Sequence, residues 1–369
     1  MSASRIEEIR EQLCYLTESG KRYLWIDIAN TYGYDKMTFD DRIAMAKGLY
    51  NKYLKDGNYL EADSPWEFKN ACEAMRCADA GLPVEHMVYL DCTNQALQLY
   101  AIATSCSDTG YLCNISSGNV ITDAYGELAK EMNRLTNLDI FNRNNCKKAL
   151  MVTLYGKMDG ESEIIQYFLE QGFDYKKYIT DEDIAKAFKK AMNGLAPFAM
   201  KAMDKLQSLN NENIDTYYWT MPDGFRVKYD VKSTMTFDIK GKTKGGINFS
   251  FEKNVNIYKG NKFNRGMAPN VIHSIDGYIA RELVRRMTKP NPNYNRTYPA
   301  FITTIHDAFA THPNNAKEMV RHYEDIMCEL NDSDILQDIM SQIAGHKMLS
   351  LKKNTLTNHM IRDSIYKLS

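Results

Sequence analysis

Paired cysteine motifs are missing from this chain. Its eight cysteines form no CxxC pair and have no clustered histidines beside them, which argues against a zinc site. Their scatter through helix-like stretches suits reduced thiols. Long apolar runs are missing too, and none approaches the roughly 20 residues that span a bilayer. The stretch from Met1 to Arg10 carries no apolar signal core, so a cytoplasmic location is expected. There is no internal repeat and no low-complexity linker. Nor is either charge in excess: 46 Lys and Arg balance 47 Asp and Glu, for a net charge of −1. A polyanion binder acting through overall charge is thereby excluded.

What is present is ordinary for a globular protein, with 44% hydrophobic and 25% charged residues over 369 positions. That length can bury a substantial core in one large domain or two modest ones. The charge, however, is segregated. From Arg226 to Arg265, ten Lys or Arg (226, 228, 232, 240, 242, 244, 253, 259, 262, 265) stand against three acids (230, 238, 252). A segment of this kind can be a solvated loop face. Its centre from Gly241 to Gly246 and its alternating flanks suggest instead a basic β-hairpin, with Lys242 and Lys244 able to lie along phosphates.

Thr38 followed by Asp41, and Ser64-Pro65-Trp66-Glu67, resemble capping boxes that start two helices, the second with Pro at its first position. Gly81-Leu82-Pro83 closes the second. A short strand ends at Asp91, and helices are expected over roughly 95–105, 120–135 and 143–155, then after Thr180 and from Pro197. Residues 214–260 alternate and carry turn signals, so they read as strands. A long helix runs from Pro269 to about Met287, a hairpin spans 300–311, and the tail after Lys317 is mostly helical. The fold class is α+β, with two strands far apart in sequence and a helical insertion between them.

Three constellations carry chemistry. Ala300 to Thr311 holds two β-prone runs around a polar break, His306-Asp307, and so presents an acid at or near a hairpin turn. Asp91 ends the apolar run Met87-Val88-Tyr89-Leu90. Two carboxylates at the ends of separate strands are what a two-metal phosphoryl-transfer site requires, although Asp91 alone could equally be a strand-end turn residue or helix cap. Arg143, Lys147, Met151 and Tyr155 recur every four residues on one helical face. That stripe is a solvated basic face, or a grip in which Arg143 and Lys147 hold a triphosphate and Tyr155 meets the sugar, with Gly156 letting the backbone turn away. His273, Gly277 and Ala280 share another helical face. A lone helical histidine is most often just a satisfied polar group.

Taken in order, these residues resemble the single-subunit RNA polymerases of T-odd bacteriophages and mitochondria, from about Leu24 onward. Asp91-Cys92-Thr93-Asn94-Gln95-Ala96-Leu97-Gln98 is similar to the family's Asp-Gly-Ser-Cys-x-Gly-Leu/Ile-Gln, with Cys92 and Ala96 replacing two glycines. Ala29-Asn30, Asp35-Lys36, Asp63-Ser64-Pro65 and Asp123-Ala124-Tyr125-Gly126 fit the same order. So do Arg143-x3-Lys147-Lys148-x6-Tyr155-Gly156, Pro222-Asp223-Gly224-Phe225, Ala268-Pro269-Asn270-x2-His273 and Ile305-His306-Asp307-Ala308-Phe309. Ala308 stands where the family usually has Ser.

The resemblance implies DNA-directed RNA synthesis on a right-hand palm with a largely helical fingers insertion. Residues 1–85 would be the N-terminal helical part of the palm and thumb base, 86–135 palm with the first aspartate, 136–265 fingers, and 266–369 palm with the second aspartate and the C-terminal helices. Asp91 and Asp307 would hold two Mg²⁺ ions, with the Cys92 backbone carbonyl as a further ligand. Arg143 and Lys147 would face the triphosphate, and Tyr155 with His273 would sense the ribose 2′-hydroxyl. His306 would support the metal site. Tyr125, Gly126, Lys148, Lys242 and Lys244 would touch nucleic acid. Expected partners are a DNA template, an RNA transcript, NTPs, and a second polymerase subunit. That subunit would supply the family's N-terminal domain, most of the thumb, and the Thr/Asp-x-x-Gly-Arg segment that contacts the hybrid, as in the two-subunit phage RNA polymerases. Two other readings stay open: a family-A DNA polymerase fragment, which would be expected to carry Glu at the place of Ala308, and a non-catalytic nucleic-acid-binding subunit.

Overall fold

A computed structural model describes residues 15–369 apart from 155–160, 171–173, 243, 247, 261–264 and 306. Its first layer is set by helix caps. Helix α1 (Glu18–Tyr32) starts at Thr17, whose hydroxyl oxygen accepts the Gly20 amide at 3.0 Å. Helix α2 (Phe39–Asp56) starts at Thr38, which accepts from the Asp41 amide at 3.2 Å and donates its hydroxyl to the Asp41 carboxylate at 2.6 Å. Helix α3 (Pro65–Asp79) has Pro65 in its first turn, but the expected second capping box does not form. Ser64 sits at φ −119°, ψ 79°, and its side chain makes no capping bond. The helix ends as its sequence indicates, with Gly81 at φ +66° and the Leu82 amide donating to the Cys77 carbonyl at 2.9 Å. These helices bury Leu24, Ile28, Tyr50, Phe68 and Met75 in a smaller core that also takes in Val88 and Ala316.

The larger core gathers around a three-stranded antiparallel sheet, β1 (Val88–Asp91), β6 (Ile302–Ile305) and β7 (Ala308–Thr311), with β7 in the middle. Leu90 faces Phe309 and Asp91 faces Ala308 across the β1–β7 pair. Val88 and Leu90 point inward while Tyr89 and Asp91 point outward, the period-two alternation of a strand buried on one face. Behind the sheet lie α4 (Gln95–Ala103), α11 (Met267–Met287) and α12 (Pro313–Asp332). All nine residues of α4 are buried. Between β1 and α11 come α5 (Ser107–Leu112), α6 (Ala124–Thr136), α7 (Arg143–Leu154), α8 (Glu161–Glu170), α9 (Asp181–Leu195), α10 (Pro197–Gln207) and two hairpins. Helices α13 (Ile335–Ala344) and α14 (Asn358–Asp363) close the chain. The architecture mixes helix and strand, as an α+β reading requires. The long helix begins two residues before Pro269, which is accommodated in its first turn where no amide partner is lost.

The first hairpin pairs β2 (Thr216–Thr220) with β3 (Arg226–Asp230), and the second pairs β4 (Lys232–Lys242) with β5 (Asn248–Tyr258). The basic segment is therefore a hairpin, but a two-faced one. Phe237, Ile239, Phe249 and Phe251 are all exposed, and the register puts Ile239 opposite Phe251 on one side. The ring of Phe249 lies across Gly241, so a side chain there would displace that exposed ring. By alternation Lys240 and Lys242 belong to the other face. The seven described cysteines are free thiols.

One buried ion pair ties the segment before β6 to α12. Arg296 donates to both carboxylate oxygens of Glu318 at 2.8 and 2.7 Å, and Asn291 adds a bond at 2.8 Å. Both charged side chains are almost wholly buried. Burial opposes ionisation of Glu318, but the bonds from Arg296, His322 and Asn291 outweigh it and hold the carboxyl at about 2, below its ordinary 4.5. A depressed carboxylate contributes stability above its unfolded value, and that contribution is lost as pH falls. Thermal midpoints should therefore drop between pH 4.5 and 2. Glu318→Gln should cost about 3–5 kcal/mol at neutral pH, because it strands the buried Arg296, and should flatten the acid limb of the profile recorded by circular dichroism.

Candidate active site

Asp91 ends β1 and Asp307 immediately precedes β7. Directly opposed residues on antiparallel strands lie about 5 Å apart. Since Asp91 opposes Ala308, the two aspartates are brought to one end of the sheet. The pairing continues past the strands, with the Cys92 amide donating to the Asp307 carbonyl at 3.3 Å. On its other side, β1 is held by the last residue of the chain. The Ser369 amide donates to the Asp91 carbonyl at 3.0 Å, and the Asp91 amide to the Ser369 carbonyl at 3.4 Å.

A cavity of 230 Å³ opens at this sheet end, lined by Asp91, Asp307, Lys36, Tyr125, Arg143 and Lys147 among others. Helix α7 begins at Arg143, so Arg143, Lys147 and Met151 lie one helical turn apart and all reach this cavity. The stripe borders this cavity and is also open to solvent, with Lys147 and Met151 exposed. Arg143 is already engaged. Its Nε donates to Asp123 at 2.9 Å, and its guanidinium lies 5.3 Å from the centre of the Tyr125 ring. Asp123 also accepts the Tyr125 amide at 3.2 Å and so caps α6.

The electrostatics of the aspartates favour a bound cation. Burial, followed by the charge of Asp307, pushes the Asp91 carboxyl up to about 6. A carboxyl raised by burial and by a neighbouring carboxylate is relieved by a divalent ion. Among the described residues no group of three or more His, Cys, Asp or Glu side chains could hold a metal. Asp91 and Asp307 offer an oxygen-only pair of donors at this cavity. That set suits Mg²⁺, which usually takes one or two carboxylates and completes its shell with water and substrate phosphates. The residues fit the ion.

The other expected site residues scatter. His273 is exposed on α11 and is not among the residues lining the cavity. Its helix nevertheless reaches α4 one turn later, where Gln95 donates to Asp276. Gly126 follows Tyr125 in α6, and Lys148 is half-buried on α7 beside the cavity-lining Lys147. Lys242 and Lys244 are exposed, Lys242 at the end of β4 and Lys244 in the turn after it. Tyr155, Gly156 and His306 lie outside the described residues. Two participants carried no assigned role in the sequence: Lys36, and Asp123 as the partner of Arg143. Each sits within a motif noted above, but neither short stretch indicates what it will face.

A family model described as DNA-dependent RNA polymerase matches residues 15–368. The chain belongs to that family. Among curated relatives, a probable DNA-directed RNA polymerase of Gelasinospora sp. (strain G114) is 25% identical over 92% of this chain and 46% of its own length. The DNA-directed RNA polymerase of Enterobacteria phage T3 is 24% identical over 89% of this chain and 45% of its own. T7 RNA polymerase of Escherichia phage T7 is 22% identical over 87% and 45%. This chain thus spans about half the length of these RNA polymerases. No described helix is long and apolar enough to cross a membrane.

Asp123 holds Arg143 at this cavity, so an anion bound there would compete with Asp123 for the guanidinium. The pair is about one-third exposed on each side, so its worth is at most about 1 kcal/mol. Asp123→Asn removes the charge and keeps a capping oxygen. Calorimetry at low salt should find tripolyphosphate bound up to about fivefold more tightly by this variant, and more weakly by Lys147→Ala.

Proposed function

We propose that this chain catalyses DNA-templated transfer of nucleotides from NTPs to an RNA 3′-hydroxyl. The observation that carries the reading is the single cavity in which Asp91 and Asp307 meet Lys36, Arg143 and Lys147. Carboxylates suit a cation and the 3′-hydroxyl end of the reaction. The basic groups suit the triphosphate.

In this reading Asp91, Asp307 and the Cys92 carbonyl hold two Mg²⁺ ions. When bound, such ions activate the attacking hydroxyl and neutralise charge on the phosphates. Lys147 and Arg143 stabilise charge on the β- and γ-phosphates as the bond to the α-phosphorus breaks, and Lys147 donates a proton to the departing pyrophosphate. Lys36 adds a third cation to the cavity, close enough to Asp91 to offset part of its raised pKa. Arg143 exchanges Asp123 for phosphate oxygens, a swap of one charge-assisted bond for another. Tyr155 and Gly156, with His273 assisting, take the ribose, whose 2′-hydroxyl both donates and accepts. His306 supports Asp307 at the turn. Tyr125, Gly126 and Lys148 meet the template. Lys242 and Lys244 reach phosphates from the β4–β5 hairpin, whose exposed phenylalanines offer bases a stacking surface.

Residues 86–135 and 266–369 then form the palm, 136–265 the fingers and 1–85 the helical base. A cytoplasmic location and a second polypeptide belong to the same proposal. The latter is tested by what co-purifies with the tagged chain when neighbouring proteins are co-expressed. Family membership disfavours the DNA-polymerase and non-catalytic alternatives.

Incorporation on a preassembled RNA–DNA hybrid, with the partner present, tests the proposal. Asp307→Asn should lower Mg²⁺-dependent extension by more than about a hundredfold, while template binding, read by fluorescence anisotropy, is retained. Ribonucleotides should be used in preference to deoxyribonucleotides. Equal use of both, or full extension by Asp307→Asn, would overturn the reading.

A further inference from the structure

Tyr323 touches both strands that carry the aspartates, although it belongs to neither. It sits on α12 with its side chain wholly buried. Its ring packs against Phe309, two residues after Asp307, with centres 5.8 Å apart. Its hydroxyl lies 3.3 Å from the Sγ of Cys92, one residue after Asp91, and donates to the Gln98 side-chain carbonyl at 2.8 Å.

That last bond fixes the direction of the chain. The hydroxyl proton is committed to Gln98, so the Cys92 thiol is the donor to the Tyr323 oxygen. The Gln98 amide in turn donates to the carbonyls of Cys113 at 3.1 Å and Lys367 at 2.9 Å. The buried face of the sheet end is thus tied through one hydroxyl to α4, α12 and the C-terminal residues. Cys92 stands where the resembled motif has a glycine. A glycine would leave this backbone free to turn, whereas here a side chain anchors it.

We propose that Tyr323 is a positioning residue for the metal site, holding the Asp91–Cys92 strand end in register with Asp307 through Cys92 and Phe309. The proposal rests on the reading of Asp91 and Asp307 as metal ligands. Groups that orient metal ligands from behind typically govern about 10- to 100-fold in affinity. Tyr323 acts through the backbone rather than on a carboxylate, so the lower end applies.

Mn²⁺ binding, followed by the paramagnetic signal of the free ion, is the direct test. Tyr323→Phe keeps the ring against Phe309 and deletes only the hydroxyl. It should weaken Mn²⁺ binding about tenfold and raise the Mg²⁺ concentration for half-maximal extension by a similar factor, with KM for NTP unchanged. Cys92→Ala should have the same effect, and the double variant should be no worse than either single one. Ile339→Val trims the buried core at α13 and serves as the stability control, lowering the thermal midpoint without altering Mn²⁺ affinity. If Tyr323→Phe behaves like that control, the positioning role is wrong. Asp307→Asn separates the two claims. Should it too leave Mn²⁺ binding intact, the metal-site reading itself fails; should it abolish binding while Tyr323→Phe does not, only the role of Tyr323 falls.

Discussion

The pairing of β1 with β7 is the constraint on which the site depends. Four residues of one strand and four of another, more than two hundred positions apart, lie antiparallel in a register that sets Asp91 opposite Ala308. Because side chains alternate along a strand, a slip of one residue would turn Asp91 into the core and Leu90 out toward solvent. The apolar pair Leu90 and Phe309 therefore enforces the register that the aspartates need. The core and the chemistry are specified by the same ladder.

The arrangement works against itself electrostatically until something is bound. Burial and Asp307 raise the carboxyl of Asp91, and Arg143 satisfies itself with Asp123. Both features place carboxylates and basic groups around one cavity, the pattern of perturbed charge that marks functional sites. Stability comes from elsewhere, from the apolar cores of the two helical layers and from the buried Arg296–Glu318 pair, which fastens the segment leading into β6. A scaffold locked at a distance can tolerate a site whose resting state is not its most stable one.

Local signals carried much of the secondary structure. Thr38 and Thr180 cap the helices they were expected to cap, and the turn-rich stretch from 214 to 260 became two hairpins. Ser64 shows the limit. Its motif matches a capping box, but the backbone that leads into Pro65 does not aim the hydroxyl at the helix. The basic hairpin shows another. A count of lysines conveyed its charge but not its apolar face, because that face depends on which residues lie opposite one another.

Sequence by itself determined which residue types stood where: aspartates at strand ends, a basic stripe at helical spacing, glycines where the chain must turn. Those follow from propensity and periodicity, which act over a few residues. Only tertiary structure decided that positions 91 and 307 share a sheet end, that the stripe on α7 borders the same cavity, that Asp123 occupies Arg143, and that one tyrosine on α12 contacts both Cys92 and Phe309. These are contacts between segments tens to hundreds of residues apart. They are set by how buried faces fit together, a property that no short window of sequence contains.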